Sequence, residues 1–239
     1  SHALDHGALW LQMQPGVLDA RQRWFLVVDF NALDLAELHD TVDGHPRVRQ
    51  AGDRLPLSRW SWPDRQPVFE LQPAASGPLW LRLANRPVPV NPRLLVMNEA
   101  ELQQQRTTAL VLIGGYLGLG VLVLALGVTS ARLYRDNAFS LYALYVGTML
   151  GLQLAYTGLG GLILWPESPA WSNMAPAVFT ALSCASSVWF VREVASVRRY
   201  SRRLNRALFY WGVAGLVVPP VYAAWQNQAV LWLLHGYMG

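Results

Sequence analysis

The sequence has very little charge beyond its first hundred residues, and this scarcity decides the class of protein. Only 14% of the 239 residues are charged, against about 25% in a typical soluble domain. Four runs contain no charged side chain: 107–131, 137–166, 168–191 and 207–234. Each run exceeds the roughly 20 residues that a helix needs to cross a bilayer. Because backbone groups in lipid must hydrogen-bond internally, these runs predict transmembrane helices and a lipid bilayer as partner.

The chain also lacks the motifs of an enzyme or a metal protein. A single cysteine, Cys184, cannot form an intrachain disulfide or a multi-cysteine metal site. His39 and His45 flank Asp40 and Asp43, as in a loop metal site, but no further ligand cluster accompanies them. Phosphate-binding loops, G-x-S-x-G and H-E-x-x-H are absent. We therefore expect no metal, no cofactor and no catalytic residue in this segment.

No Asp, Glu, Lys or Arg lies at the centre of a predicted membrane helix. Proton relays and ion-coupled transporters usually place ionisable groups there, so this absence argues against a transporter. Uncharged polar residues do occur near the ends of the second and third runs. We expect them to form hydrogen bonds between helices, or alternatively to line a small cavity toward the outer leaflet: Gln153, Tyr156, Thr157 and Asn173.

Arginines between the apolar runs predict the orientation of the chain. The links at 165–171 and 225–228 contain neither Lys nor Arg. Short loops rich in arginine stay cytoplasmic, so the alternation places residues 1–106 in the periplasm of a bacterium and the protein in its inner membrane. The net charge of +4 thus reflects topology, and we expect no nucleic-acid partner. The arginines of the first and third links that carry this prediction are Arg132, Arg135, Arg198, Arg199, Arg202 and Arg203.

Residues 1–98 predict an all-β domain. Apolar residues alternate with polar or partly polar ones over 23–30 and again over 79–83. We expect the first of these strands to bury one face well and the other partly. Turn signals such as Asp43-Gly44 and Ser76-Gly77-Pro78 separate the strands. Many short strands without a long amphipathic helix predict an antiparallel sandwich of the jelly-roll type.

Three tryptophans of this domain are candidate ligand-binding residues. Trp60, Trp62 and Trp80 could form a platform for a sugar ring or another flat ligand. Trp80 is the best candidate, because the alternation sets it opposite the leucines, and Arg82 on the same face could bind an anionic group. The simpler interpretation is that these rings pack in the core and at sheet edges.

The remaining residues predict a helical linker and a membrane bundle. Segment 99–107 is polar, without Gly or Pro, and should continue into the first membrane helix. The last apolar stretch stops after about half a crossing, so we expect the natural protein to continue past Gly239. Within 108–239 we predict helices at 108–131, 138–165, 170–192 and 207–226, and the start of a fifth from 229.

Glycines at spacings of four predict close helix packing in this bundle. Gly114 and Gly118 lie in the first membrane helix, and Gly147 and Gly151 lie in the second. Small residues at this spacing let helix backbones approach closely. Tight packing within one chain is the favoured interpretation, and a homodimer face is the alternative.

Several stretches carry a resemblance to a known family. They include RWFLVVDF, GDRLPLSRW, PVFEL and GPLWLRLANRPVPVNPRLLV in the first hundred residues. In the membrane part, Tyr116, Arg135-Asp136, Tyr142 and Tyr145 follow the pattern of a Tyr, a short Arg-Asp link and a Tyr-rich second helix. In these features the chain resembles the bacterial seven-helix receptors with diverse intracellular signalling modules, over nearly its whole length.

The resemblance implies a sensory function. It implies that the β-domain, similar to carbohydrate-binding modules, senses a ligand such as a carbohydrate. The helices would pass the signal to a cytoplasmic diguanylate cyclase, histidine kinase or phosphatase-type module after the seventh helix. Two alternatives stay open: an accessory or assembly membrane protein whose β-domain binds another protein, and a transporter or membrane-enzyme subunit.

Overall fold

Two compact units make up the chain in the computed structural model. The structure describes residues 8–14, 18–19, 21–42, 44–72, 77–85 and 92–224, with the backbone alone over 218–224. One unit comprises Ser1–Val111 together with Tyr156–Asn173, and the other comprises Leu112–Ala155 and Met174–Gly239. A short stretch of the membrane region therefore belongs to the same unit as the β-domain.

The β-domain is the predicted sandwich of two antiparallel sheets. One sheet has the strand order β1-β6-β3-β4 and the other the order β5-β2-β7. The described strands are β1 (Leu9–Met13), β2 (Trp24–Asp29), β3 (Leu35–Val42), β4 (His45–Ala51), β5 (Val68–Leu71), β6 (Leu79–Ala84) and β7 (Arg93–Asn98).

A single apolar core joins the inner faces of the two sheets. Leu26 and Phe69 from one sheet and Leu38 and Leu81 from the other are all at most 1% exposed. The period of two in β6 is as predicted, since Leu79, Leu81 and Leu83 are buried in this core. Burial of this apolar area is the main favourable term for the domain.

The second face of β2 differs from its prediction. Phe25 and Val27 were expected to be partly buried, but both are 0% exposed. They pack in a second cluster with Met97 of β7 and with Leu102. Because Leu102 belongs to the helix that follows the last strand, the start of that helix covers a sheet face that would otherwise meet solvent.

This helix joins the β-domain to the membrane region without a break. Helix α1 runs from Glu99 to Tyr134, as the composition of the linker predicts. It begins with a capping box, in which the Asn98 side chain accepts from the Glu101 N–H at 2.9 Å and the Glu101 carboxylate accepts from the Asn98 N–H at 3.0 Å. The other helices are α2 (Asn137–Tyr156), α3 (Pro169–Val194), α4 (Val197–Tyr200) and α5 (Arg202–Ala224).

By length and apolar composition, α1, α2 and α3 can each cross a membrane. The second predicted helix is too long, because α2 ends at Tyr156 and not at 165. Gly158 takes a φ of +76°, a left-handed conformation that ends the helix, and one π-helical turn follows over Gly160–Leu164. The predicted start of a fifth helix at 229 lies outside the described residues.

The glycines of the first two membrane helices divide into two groups. A Cβ at Gly151 of α2 would overlap the Phe179 ring. A Cβ at Gly147 would lie 3.8 Å from the Leu124 side chain. A Cβ at Gly114 or Gly118 would meet no atom of the described residues within 4 Å. The expected packing within the chain is therefore seen for the second pair, and for the first pair it stays a prediction, because the described residues place no neighbour there.

Candidate functional site

Aromatic and polar side chains cover the outer face of the four-stranded sheet. In the strand register, Trp10 lies opposite Arg82, and Arg82 lies opposite Glu37. In the next row, Trp80 lies opposite His39. Side chains opposite each other in antiparallel strands project on the same side. These five residues, which we name the aromatic face, include two indoles that are 51% (Trp10) and 41% (Trp80) exposed.

Contacts within the aromatic face hold its side chains in place. The Trp10 and His39 rings lie with their centroids 5.3 Å apart, and the Arg82 guanidinium carbon lies 5.9 Å from the Trp10 centroid. Arg82 donates to the Glu37 carboxylate, which also accepts from Gln50 at 2.6 Å. Burial raises the pKa of Glu37, but the hydrogen bonds from Arg82 and Gln50 lower it below its ordinary value. The cation and the anion of this face therefore neutralise each other.

Two of the three predicted platform residues lie elsewhere. Trp60 is 9% exposed in the main core, with its indole N–H donating to the Leu55 carbonyl at 3.3 Å. Trp62 packs edge-on against Phe25, with centroids 4.9 Å apart. A shared platform of these rings with Trp80 is therefore wrong, because both lie in a loop that turns them onto buried surfaces.

Trp10 was not predicted as a site residue although the sequence carries a signal for it, and His39 was considered only as a possible metal ligand. Leu9, Leu11 and Met13 alternate with Trp10 and Gln12 in the sequence. That period of two predicts a half-buried strand with its tryptophan on the solvent side.

His39 and Asp40, two residues of the possible loop metal site, lie on opposite faces of the sheet. His39 lies on the aromatic face, whereas Asp40 is buried and forms ion pairs with Arg47 at 2.8 Å and Arg49 at 2.6 Å. Burial raises the pKa of Asp40, but these arginines lower it below its ordinary value. The Asp40 carboxylate is therefore buried and already paired with arginines. Asp43 lies outside the described residues.

The segment between α2 and α3 lies against the β-domain. Residues 156–173 belong to the same compact unit, and we name their contacts with the β-domain the junction. These contacts agree with the predicted topology, which puts this link on the same side of the membrane as the domain. Three hydrogen bonds from the domain reach the segment: the Asn31 amide to the Tyr156 carbonyl at 3.2 Å, the Leu57 N–H to the Pro166 carbonyl at 2.8 Å, and the Ser58 hydroxyl to the Glu167 carboxylate at 2.9 Å.

Gly158 fits the junction only as a glycine. A Cβ at this position would overlap the carbonyl oxygen of Arg65, and its φ of +76° disfavours any other residue. The Arg65 side chain in turn donates to the Asn31 amide oxygen at 3.3 Å. The backbone of the segment and the loop at Arg65 therefore meet with no intervening side chain.

Two acidic residues of the β-domain face the start of α3. Ser172 donates to Asp53 and Asn173 donates to Asp34, each at 3.5 Å. Arg54 forms an ion pair with Asp34 at 2.9 Å. Burial and the charge of Asp34 raise the pKa of Asp53 to about 7, against the opposing hydrogen bond from Ser172. Asp53 is thus the carboxyl group of the junction that titrates near neutral pH.

The predicted polar residues of the membrane region fall at different places. Asn173 contacts Asp34 of the β-domain, and Tyr156 offers its carbonyl to Asn31. Gln153 lies within α2, and Thr157 follows the end of that helix. The end of α2 at Tyr156 therefore leaves Thr157 outside that helix, and the contact with Asp34 places Asn173 of α3 in the junction.

The first residues of α1 form a second connection to the β-domain. Arg23 of the domain pairs with Glu99 at 3.0 Å, and Arg106 of the helix pairs with Asp64 at 3.1 Å. Asp64 immediately precedes Arg65, which contacts Gly158 across the junction. One loop of the β-domain therefore contacts both α1 and the segment before α3.

Two family models match the chain. One describes 7TM diverse intracellular signalling and matches residues 106–238. The other describes the extracellular domain 7TMR-DISM extracellular 2 and matches residues 3–97. Comparison with curated proteins and with solved structures found no match. The chain belongs to the 7TM diverse intracellular signalling family, whose members are membrane receptors with an extracellular sensor and intracellular signalling.

Proposed function

We propose that the aromatic face binds a neutral saccharide and that the junction and α1 pass the binding event to the membrane helices. The observation that carries this proposal is the pair of half-exposed indoles, Trp10 and Trp80, on one rigid sheet face. Large exposed aromatic side chains on a fixed scaffold are typical of binding surfaces.

The charges of the face favour a neutral ligand over an anionic one. Arg82 is a candidate from the sequence for binding an anionic group, but it donates to Glu37. An anion would have to compete with that carboxylate for the guanidinium. A saccharide instead can stack its apolar C–H face on an indole and exchange hydroxyl hydrogen bonds with Glu37 and Arg82.

Strand β4 connects the aromatic face with the junction. Gln50 of this strand donates to Glu37 of the face, and Asp53 follows three residues later at the junction. A ligand can bias the membrane helices only if it binds two arrangements with different affinity. The two arrangements would differ by a small shift of β4 that alters the Asp53–Ser172 contact, and the ligand would bind one of these two positions of β4 more tightly.

The test is a binding measurement on the chain reconstituted in lipid nanodiscs. Titration calorimetry with neutral cello-, xylo- and malto-oligosaccharides should detect binding of at least one series to the wild type. Trp80→Ala should weaken that binding by about tenfold or more, as expected for loss of a stacking aromatic. The matched control is Val96→Ala, because Val96 is 52% exposed on the other sheet.

Thermal unfolding of both variants separates binding from folding. The proposal requires that Trp80→Ala melts as the wild type does while its affinity falls. Unchanged affinity in Trp80→Ala, or loss of the folded domain, would assign this residue to structure and contradict the proposal.

We further propose that the chain is a multi-pass protein of a bacterial inner membrane, with the β-domain in the periplasm and a diguanylate cyclase or histidine kinase as output. The arginine alternation supports the orientation. The type of output module rests on the family resemblance alone. Sequencing the gene beyond Gly239 tests it, and a different signalling domain there would replace the cyclase or kinase.

A further inference from the structure

A polar pocket lies where α3, α4 and α5 follow one another. Its volume is about 570 Å³, and every residue that lines it is polar or charged. Arg192, Arg198, Arg199 and Arg202 supply four positive charges to the lining, and Glu193 supplies one negative charge. Most small-molecule sites are largely apolar, so this lining points to a charged ligand.

The backbone of the link shapes this pocket. Ser196 takes a left-handed conformation with φ 48°, which turns the chain sharply between α3 and α4. The Arg199 N–H donates to the Ser196 carbonyl at 2.8 Å. Ser201 then caps α5 by accepting from the Leu204 N–H at 3.2 Å. These turns bring arginines from three helices around one space.

The arginines of the pocket have no carboxylate partner among the described residues. Every ion pair of the described part of the chain lies between residues 23 and 106. Arg192 is held by its guanidinium lying 5.2 Å from the Phe209 ring centroid. Its Nε is enclosed and has no hydrogen-bond acceptor among the described residues. Four arginines against one glutamate leave the lining with a net positive charge, which an anion in the pocket would neutralise.

We propose that this pocket binds a phosphate group, presented either by an anionic lipid headgroup or by a soluble phosphate compound. The planar guanidinium donates two parallel hydrogen bonds to phosphate oxygens, whereas lysine offers a point charge. The chain contains no lysine at all. Asn205 adds an amide to the lining that can donate to a further phosphate oxygen. This proposal is independent of the aromatic face and its ligand.

The lipid source is tested in nanodiscs of phosphatidylcholine with increasing phosphatidylglycerol. Native mass spectrometry counts the phosphatidylglycerol molecules that stay bound to the wild type, to Arg198→Gln/Arg199→Gln/Arg202→Gln and to Arg203→Gln/Arg206→Gln. The last variant is the control, because its arginines lie in the same link but do not line the pocket. The first variant should weaken retention by roughly fivefold for each arginine removed, and the control by much less.

The soluble source is tested in nanodiscs of phosphatidylcholine alone. Inorganic phosphate and pyrophosphate are titrated while 31P NMR follows the bound fraction. Saturable binding here that disappears in the triple variant would support a soluble phosphate ligand. Binding of phosphatidylglycerol without binding of either phosphate would support a lipid ligand.

A charge-conserving variant distinguishes loss of the binding site from a change of topology or folding. Arg198→Lys/Arg199→Lys/Arg202→Lys keeps the positive charge that orients the helices but removes the paired donors. We expect several-fold weaker retention of the phosphate ligand in this variant. Equal retention in the wild type, the lysine variant and the control variant would overturn the proposal and leave only a diffuse surface charge.

Discussion

At the scale of single residues, Asp53 gives the junction a dependence on pH. Its ordinary pKa is 3.8, and the folded protein raises it to about 7. The folded state therefore holds a proton that the unfolded state releases between these values, so the free energy of unfolding falls as the pH rises through this window. Ser172 and the charge of Asp34 act directly on this carboxyl. Arg54 and Asn173 in turn contact Asp34.

The variant Asp53→Asn tests this dependence. The amide imitates the protonated carboxyl, so the difference in melting temperature between Asp53→Asn and the wild type should grow from about pH 4 to about pH 7 and then stay constant. Ser172→Ala is the matched control, because it keeps the carboxyl and hence the pH dependence. A melting difference that does not change with pH would contradict the raised pKa.

Gly158 is the residue on which the close approach at the junction depends. Gly158→Ala should separate the segment before α3 from the loop at Arg65, because both the positive φ and the overlap with a carbonyl oxygen oppose a Cβ. Faster hydrogen–deuterium exchange over 156–173 in this variant would report the separation. Gly77→Ala serves as control: its φ is also positive, at +100°, but a Cβ there meets nothing within 4 Å. Equal exchange in both variants would show that the overlap is relieved without undocking.

At the scale of elements, the first turns of α1 act as part of the β-domain. Leu102 is 1% exposed and packs with Phe25 and Val27 on the second face of β2. Leu102→Ala should destabilise the domain by about 2–5 kcal/mol, as large-to-small changes in cores do. Denaturant unfolding followed by tryptophan fluorescence measures this loss.

The control for this substitution lies on the same helix. Leu112 of α1 is 69% exposed, so Leu112→Ala should leave the stability of the β-domain nearly unchanged. If both variants unfold at the wild-type denaturant concentration, the helix is not a structural part of the domain and would transmit motion only through the chain connection.

Sequence periodicity predicted the regular elements and failed where periodicity is absent. The alternation over 79–83 set Trp80 and Arg82 on the solvent side of a strand, as observed. Trp60 lies in a loop, where no period indicates which way a side chain points. The end of α2 was missed because residues 157–165 are uncharged like the helix itself, although Gly158 and the following Gly160-Gly161 are a sequence signal for a helix end.

The contacts of the candidate sites could not be predicted, because the residues that form them are far apart in the sequence. The junction joins Asn31 to Tyr156 and Asp34 to Asn173, which are more than one hundred residues apart in the chain. Neither partner of such a pair carries a local signal of the other. The family resemblance, by contrast, covered both halves of the chain, and the two family models confirm it.

At the scale of the whole molecule, the arginine-rich links and the junction make one prediction about sidedness. The junction ties the link before α3 to the β-domain, so both should face the same side of the membrane, and the link around Tyr200 should face the other. The chain has one cysteine, Cys184, so Cys184→Ala provides a background for single-cysteine labelling. Ser61→Cys and Ser168→Cys should react with a membrane-impermeant maleimide on intact spheroplasts.

Tyr200→Cys supplies the opposite arm of this experiment. Tyr200 is 86% exposed, so a cysteine there is accessible once the reagent reaches its side. It should react only after the membrane is permeabilised, because the surrounding arginines predict a cytoplasmic location for this link. Labelling of Tyr200→Cys on intact spheroplasts would reverse the orientation, and it would then place the proposed phosphate pocket on the same side as the sensor domain.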